Sequence, residues 1–267
     1  MREQRRKLMI PTYVVLTFFA VIWITPMLLA LAKSFQVNGL DNYVYVLTYE
    51  KIPYFNVIFN SFFISASTAL IVCLIASLAG YAFSKLRIKG GKIIYGALLA
   101  CLALPSAAVV TPMFSTINKM GLIDTHLGCI IPMVAFNAPM MLMMTKNYFD
   151  TIPNELVESA TIDGASTLRI WAQLMMPLSV PIIANVLVLT FIYSWNDYLI
   201  PLLMVRSDAN YTVTLAAQYF VSGTFQSPSE VARIYAVMIL LTLPSIVVYL
   251  TSQKWLVSGI TAGAVKG

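Results

Sequence analysis

Residues 150–184 read DTIPNELVESATIDGASTLRIWAQLMMPLSVPIIA and lie between two long apolar runs. The stretch holds four acids, Asp150, Glu155, Glu158 and Asp163, against one base, Arg169, in a chain of net charge +6. Pro153 suits the first turn of a helix that Asp150 or Thr151 can cap. On that helix Leu156, Val157 and Ala160 share one face, while Glu155, Glu158 and Ser159 lie mostly on another. Asp163-Gly164 reads as a corner, because glycine takes a positive φ without steric cost. The spacing predicts a second helix from about Ser166. Its Leu168, Trp171, Ala172 and Met175 fall on one face, with Arg169 and Gln173 pointing away. Pro177 and Pro181 then break the regularity. The expectation for 150–181 is a helix-corner-helix with an apolar seam and a hydrophilic rim.

The flanking runs set the fold class. Of 267 residues, 59% are hydrophobic and 10% charged, with a mean hydropathy of +0.81. A soluble domain carries roughly 25% charged residues, so this is an integral membrane protein. The excess of Lys and Arg is usual for one and implies no nucleic-acid partner. Charge-free runs lie between Lys7 and Lys33, Lys51 and Lys85, Lys92 and Lys119, His126 and Lys146, Arg169 and Asp197, and Arg233 and Lys254. Each is long enough for a helix of about 20 residues to cross a bilayer. The prediction is an all-α polytopic membrane protein of one transmembrane domain, 1–267. Its six spans are expected near 9–32, 57–83, 93–116, 127–146, 182–203 and 233–253. The basic segment before the first span resembles a signal peptide's start, but the run is too long and lacks a small-residue cleavage site, so an anchor is expected.

With the N-terminus in the cytoplasm, twelve of the 17 Lys and Arg residues fall on the cytoplasmic side. The positive-inside rule therefore puts both termini, the 150–181 stretch and a tail over 254–267 in the cytoplasm. Pro105 and Pro112 are expected to interrupt span three, and Pro132, Asn137 and Pro139 span four. Kinking and lining of a pathway are both open readings of these breaks.

No acid, Lys, Arg or His falls mid-span, which disfavours an ion-coupled secondary carrier. Gly90-Gly-Lys92 is followed by Ile93, and Leu86 holds the place of the first glycine, so there is no phosphate-cradling GxxxxGK[ST] loop. With one histidine and no nucleophile, base or metal cluster, a membrane enzyme is disfavoured further. Cys73, Cys101 and Cys129 read as unpaired small hydrophobes, and Asp124-Thr-His126 as a loop cap.

The acidic stretch has three physical readings. An amphipathic loop on anionic lipid favours Lys and Arg, which lowers that option without removing it. A DNA-reading helix-turn-helix fails on charge. Docking of the helices into a protein groove remains.

The run Glu158-Ser-Ala-Thr-Ile-Asp-Gly-Ala165, followed by Pro177-Leu-Ser-Val-Pro181, resembles the "EAA" loop of the permease subunits of bacterial ABC importers. Asn60-Ser61, Gly80-Tyr-Ala-Phe83 with the basic loop after it, Trp195-Asn-Asp197 and the glycine-bearing tail Gly259–Gly267 also match, in register over nearly the whole chain. The chain is most similar to the carbohydrate branch, the maltose-type permeases. Ser159 departs from the family's usual Ala but keeps the residue small.

The resemblance implies an ABC importer type I permease fold in a bacterial cytoplasmic (inner) membrane. It implies a second homologous permease subunit, two ATPase subunits that bind ATP and Mg, and an extracytoplasmic sugar-binding protein, with no cofactor in this chain. It assigns ATPase docking to Glu158, Ser159, Ala160, Asp163, Gly164 and Ala165. Glu158 offers a carboxylate to an Arg or a helix N-terminus of the ATPase, and Asp163 can cap the helix that follows it. The expected cargo is a carbohydrate, an oligosaccharide before a glycerol phosphate or polyol. Tyr193, Trp195 and Asn196 in span five and Asn137 in span four offer the aromatic faces and amides that hold sugars. An interfacial aromatic belt and interhelical hydrogen bonds are the competing readings for these four.

Overall fold

The computed structural model describes residues 2–221 and 227–264. Helices account for most of them, and there is no strand among the described residues. In order they are α1 (Arg2–Ser34), α2 (Asp41–Leu47), α3 (Tyr54–Lys85), α4 (Gly91–Ala100), α5 (Ser106–Lys119), α6 (His126–Asp150), α7 (Asn154–Ile162), α8 (Thr167–Ile170), α9 (Met176–Leu178), α10 (Val180–Asn196), α11 (Leu199–Met204), α12 (Val213–Val221) and α13 (Pro228–Ala264). Among the described residues, four helices are long and apolar enough to cross a membrane. Two sharply bent pairs, α4 with α5 and the 167–178 segment with α10, bring the number to six if each counts as one span.

The chain divides into two compact units, residues 1–54 with 217–243 and residues 55–216 with 244–267. In the first, residues 11–29 of α1 are all exposed. Its C-terminal end is fastened to α2. The Asn42 amide donates to the carbonyls of Ser34 (3.0 Å) and Gln36 (3.2 Å), and the hydroxyls of Ser34 and Tyr43 lie 2.5 Å apart. Arg233 stacks its guanidinium 4.2 Å from the Tyr45 ring centroid.

The second unit is built along α3 in three tiers. At one end Ile64 packs with Ile117, Cys129, Met133, Ile200 and Met204. In the middle Val72, Cys73 and Ala76 meet Met141 and Leu142 of α6 and Ile182 and Val186 of α10. At the far end Tyr81 and Phe149 pack with Ile152, Ile170 and Met175 of the 150–181 stretch.

Several expected helix limits shift for local reasons. Residues 93–116 are divided at Leu104 and Pro105, both extended, after a 3₁₀ turn at Cys101–Ala103. Pro112 lies inside α5 without ending it, and Pro132 and Pro139 lie inside an unbroken α6. The Asn137 amide donates back to the Met133 carbonyl at 2.8 Å, one turn earlier on the same helix. α10 stops at Asn196, the fourth residue of Tyr193–Tyr198 and short of 203, because the Asp197 carboxylate accepts from the Ile200 N–H at 2.9 Å and starts α11. Of the tail predicted over 254–267, the backbone to Ala264 continues α13, and residues 265–267 lie outside the described residues.

One loop of this unit is latched at long range. Asp124, at φ +60°, accepts from the N–H groups of Arg206 and Ser207 (2.9 and 3.0 Å) and from the Ser207 hydroxyl at 3.1 Å. The Asn210 amide donates to its carbonyl at 2.7 Å. Desolvation works against its charge, but these hydrogen bonds outweigh it and hold the carboxyl at about 2, below the usual carboxylate range. Beside it, His126 Nε2 lies 2.9 Å from Asn60 Oδ1, and the Asn60 amide donates to the carbonyls of Ala209 and Tyr211. The Asp124-Thr-His126 cluster is thus a loop latch, with Thr125 capping α6 through the Gly128 N–H.

Candidate functional site

The 150–181 stretch is fastened at its base and exposed at its tip. Asp150 ends α6 rather than capping the next helix: its carboxylate pairs with Lys146 at 2.6 Å and accepts from the Ser84 hydroxyl at 2.7 Å. The Thr151 hydroxyl turns back to the Tyr148 carbonyl. Pro153 precedes α7, and no side chain caps that helix. Lys85, the last residue of α3, donates to the Ile152 carbonyl (2.5 Å) and the Asn154 side chain (2.8 Å). Ser84 and Lys85 are structural partners that the sequence reading did not single out, because they lie 66 to 69 residues away.

The corner is a Schellman stop. The Ala165 N–H bonds to the Ala160 carbonyl and the Gly164 N–H to the Thr161 carbonyl, both at 3.0 Å, with Gly164 at φ +78°. Ala160 and Ala165 both pack against the Tyr81–Phe149 cluster, so the two small residues form the inner side of the corner. Asp163 therefore closes α7 instead of capping α8. That cap is Ser166, whose hydroxyl accepts from the Arg169 N–H at 3.4 Å.

The second helix differs from its expected face. Trp171–Met175 form a π turn between α8 and α9. The extra residue in that turn rotates the apolar face. Ile170 and Met175 are buried, with Trp171 and Leu174 partly so, while Leu168 is 67% exposed and Ala172 is exposed. Arg169 and Gln173 do point away, and they bond each other at 2.8 Å. Ile162 is 85% exposed at the end of α7. The tip thus presents Ile162 and Leu168 within a rim that includes Glu155, Glu158, Ser159 and Asp163, all exposed. Leu168 was expected on the apolar face and is instead exposed, and Ile162 was not singled out from sequence. For Ile162, its place one turn beyond Glu158 and next to Asp163 was the available signal.

The residues proposed to meet cargo separate. Asn137 and Tyr193 line one open cavity of about 490 Å³, together with Phe136, Asp197 and Tyr198. Trp195 is 3% exposed and stacks on Phe191, 5.6 Å between centroids, outside that lining. The Asn196 amide bonds back to the Ile192 carbonyl at 2.8 Å. The cavity offers aromatic faces, one amide and one carboxylate. No cluster of His, Cys, Asp and Glu suited to a metal occurs among the described residues.

These features define a class, a polytopic helical membrane protein with a fastened helix-corner-helix at one end of its bundle and an aromatic cavity among its helices. The chain belongs to the binding-protein-dependent transport system inner membrane components, whose family model matches residues 74–262. It is similar to the trehalose transport system permease protein SugB of Mycobacterium tuberculosis, 34% identical over 208 residues, 78% of this chain and 76% of that protein. It is also similar to the maltodextrin transport system permease protein MdxG of Bacillus subtilis, 31% identical over 269 residues, 96% and 95% of the two chains. Among solved structures, a bacterial ABC transporter involved in the import of the acidic polysaccharide alginate shares the fold. That match has a TM-score of 0.79, 24% identity, and covers 93% of this chain and 96% of the other. The family expected from Glu158–Ala165 and its companion motifs is the one to which the chain belongs.

Proposed function

We propose that this chain is one permease subunit of an ATP-driven importer that moves a carbohydrate, an oligosaccharide foremost, across the inner membrane by alternating access. The observation that carries the reading is the exposed corner, an apolar centre of Ile162 and Leu168 within an acidic rim, on a base tied to α3 and α6. An apolar centre with a polar rim is how a protein docking patch is built. Its occupant is an ATPase subunit, one of a pair that supplies ATP and Mg chemistry absent from this chain. Glu158 meets a cation or helix N-terminus there. Ala160, Gly164 and Ala165 hold the corner's angle, and Ser159 and Asp163 complete the rim. A second permease subunit and lipid cover α1, and an extracytoplasmic binding protein delivers the sugar. Both termini and the corner face the cytoplasm. Closure of the ATPase pair on ATP carries the docked corners inward and turns the helices between inward- and outward-facing states, through the differential affinity of those states for nucleotide.

Affinity capture from detergent-solubilised membranes tests the docking. Wild-type chain is expected to bring down a nucleotide-binding ATPase and a second permease, and Glu158→Lys to lose the ATPase. A wild-type chain that captures no ATPase would overturn the reading.

The carbohydrate assignment is supported by the trehalose and maltodextrin permeases among the relatives and by the Asn137–Tyr193 cavity. Asn137→Ala and Tyr193→Ala are each expected to raise the KM of sugar uptake by about tenfold, as for loss of a cargo hydrogen bond or ring face worth about 1.4 kcal/mol. Trp195→Ala should instead lower the amount of folded protein, since it empties a buried site. An unchanged KM in both cavity variants would remove this cavity from the path.

A further inference from the structure

Arg87, Lys92 and Lys146 line a second cavity, of about 410 Å³, where the ends of α3, α4 and α6 meet. Its size falls within the range of small-ligand sites. The turn at Gly90 and Gly91, closed by the Gly91 N–H on the Ile88 carbonyl at 3.0 Å, brings Arg87 and Lys92 to the same opening. Lys146 is held in place from two sides. Its ammonium lies 5.2 Å from the Tyr95 ring centroid and pairs with Asp150 at 2.6 Å. Arg87 and Lys92 have no carboxylate partner among the described residues. Three cations against the single acid Asp150 leave the cavity net positive. Like charges gathered in this way repel unless an anion joins them.

The rest of the lining is Gly91, Tyr95 and an apolar wall of Phe83, Leu86 and Ile88, with Phe83 against the Tyr95 ring at 5.5 Å between centroids. Of this apolar lining, Leu86 is 38% and Ile88 39% exposed. Cations at the end of a membrane-spanning bundle, with an apolar wall beside them, match a molecule that is anionic at one end and greasy at the other. We propose that this cavity binds the phosphate of an anionic phospholipid headgroup, with the start of the acyl chains against Phe83, Leu86 and Ile88. The apolar wall selects the lipid over a soluble phosphate ester, which would gain nothing from Phe83, Leu86 and Ile88. The site stands whichever side of the membrane this end occupies, and it does not rest on the carbohydrate reading. Because Lys146 is shared between the cavity and Asp150 at the base of the corner, lipid occupancy bears directly on how that base is held.

Native mass spectrometry of the purified transporter containing the full chain, titrated with phosphatidylglycerol or phosphatidylcholine, tests the proposal. The wild type is expected to retain phosphatidylglycerol at concentrations about tenfold lower than phosphatidylcholine. An Arg87→Gln/Lys92→Gln variant, altered only at exposed side chains, is expected to lose that preference. Lys119→Gln, which removes an exposed cation outside the cavity, should retain it. Millimolar inorganic phosphate should leave the bound lipid in place. Equal retention of phosphatidylglycerol by wild type and double variant would overturn the site, and displacement of the lipid by inorganic phosphate would identify a soluble phosphate ester as its ligand instead.

Discussion

Gly164→Val is expected to leave the chain in the membrane at close to its normal level and to reduce transport at least tenfold. Gly164 sits at φ +78° with no atom within 4 Å of where a Cβ would lie. The obstacle is therefore the backbone conformation and not a clash with neighbours. A left-handed residue other than glycine costs about 1–2 kcal/mol, and a β-branched one is a stronger outlier. The corner can escape that cost by opening, because α7 and α8 are short and their tip is exposed. Opening breaks the two Schellman hydrogen bonds and changes the angle at which Glu158 and Ile162 are presented. Gly164→Asn should be the mildest substitution, since Asn tolerates the left-handed region, with Gly164→Ala between the two. Uptake measured against the amount of chain in the membrane checks the order Asn, Ala, Val. Normal uptake by the Val variant would mean that the corner's angle does not matter.

Gly128→Ala should have the largest effect on folding. A Cβ there would stand 2.2 Å from the Leu122 carbonyl oxygen, a backbone atom that cannot swing aside. The loop from Gly121 to Thr125 must move, and with it Asp124, which carries the latch to Arg206, Ser207 and Asn210. Overpacking of this kind costs about 1–3 kcal/mol before the lost hydrogen bonds are counted, and bonds to a charged group add about 1.5–3 kcal/mol each at most. The melting temperature of the purified chain in detergent is expected to fall by several degrees or more. A melting temperature equal to wild type would show that the loop can move without straining the latch.

The apolar stretches were legible because charged residues cluster at their ends, as at Lys51 and Lys85 or Arg233 and Lys254. The corner was legible because Asp163-Gly164 is a local signal that needs no distant partner. The readings that failed depended on partners far along the chain or on a subtle local irregularity. The capping roles given to Asp150 and Asp163 failed because Lys146, Ser84 and the Schellman bonds take those positions. The exposure of Leu168 was hidden by the π turn at Trp171–Met175, which no composition marks. Trp195 reads as a sugar platform in one dimension, but Phe191 covers it once α10 forms. Asp197 and Phe136 join Asn137 and Tyr193 only through the meeting of α6 and α10, and the Asp124 latch bridges 82 to 86 residues.

The segment from Thr167 to Leu178 meets α10 at 84°. Two nearly perpendicular arms joined at Ser179 make a bell crank. A push along the first arm of a rigid elbow of this shape would emerge as a sideways swing of the second. α10 has 17 residues, so at about 1.5 Å per residue it is about 25 Å long. A turn of about 5° at the elbow therefore sweeps its far end, where Tyr193 lines the cavity, through about 2 Å. On the proposed docking, a small tug at the corner would become a side-chain-sized displacement at the other end of the helix.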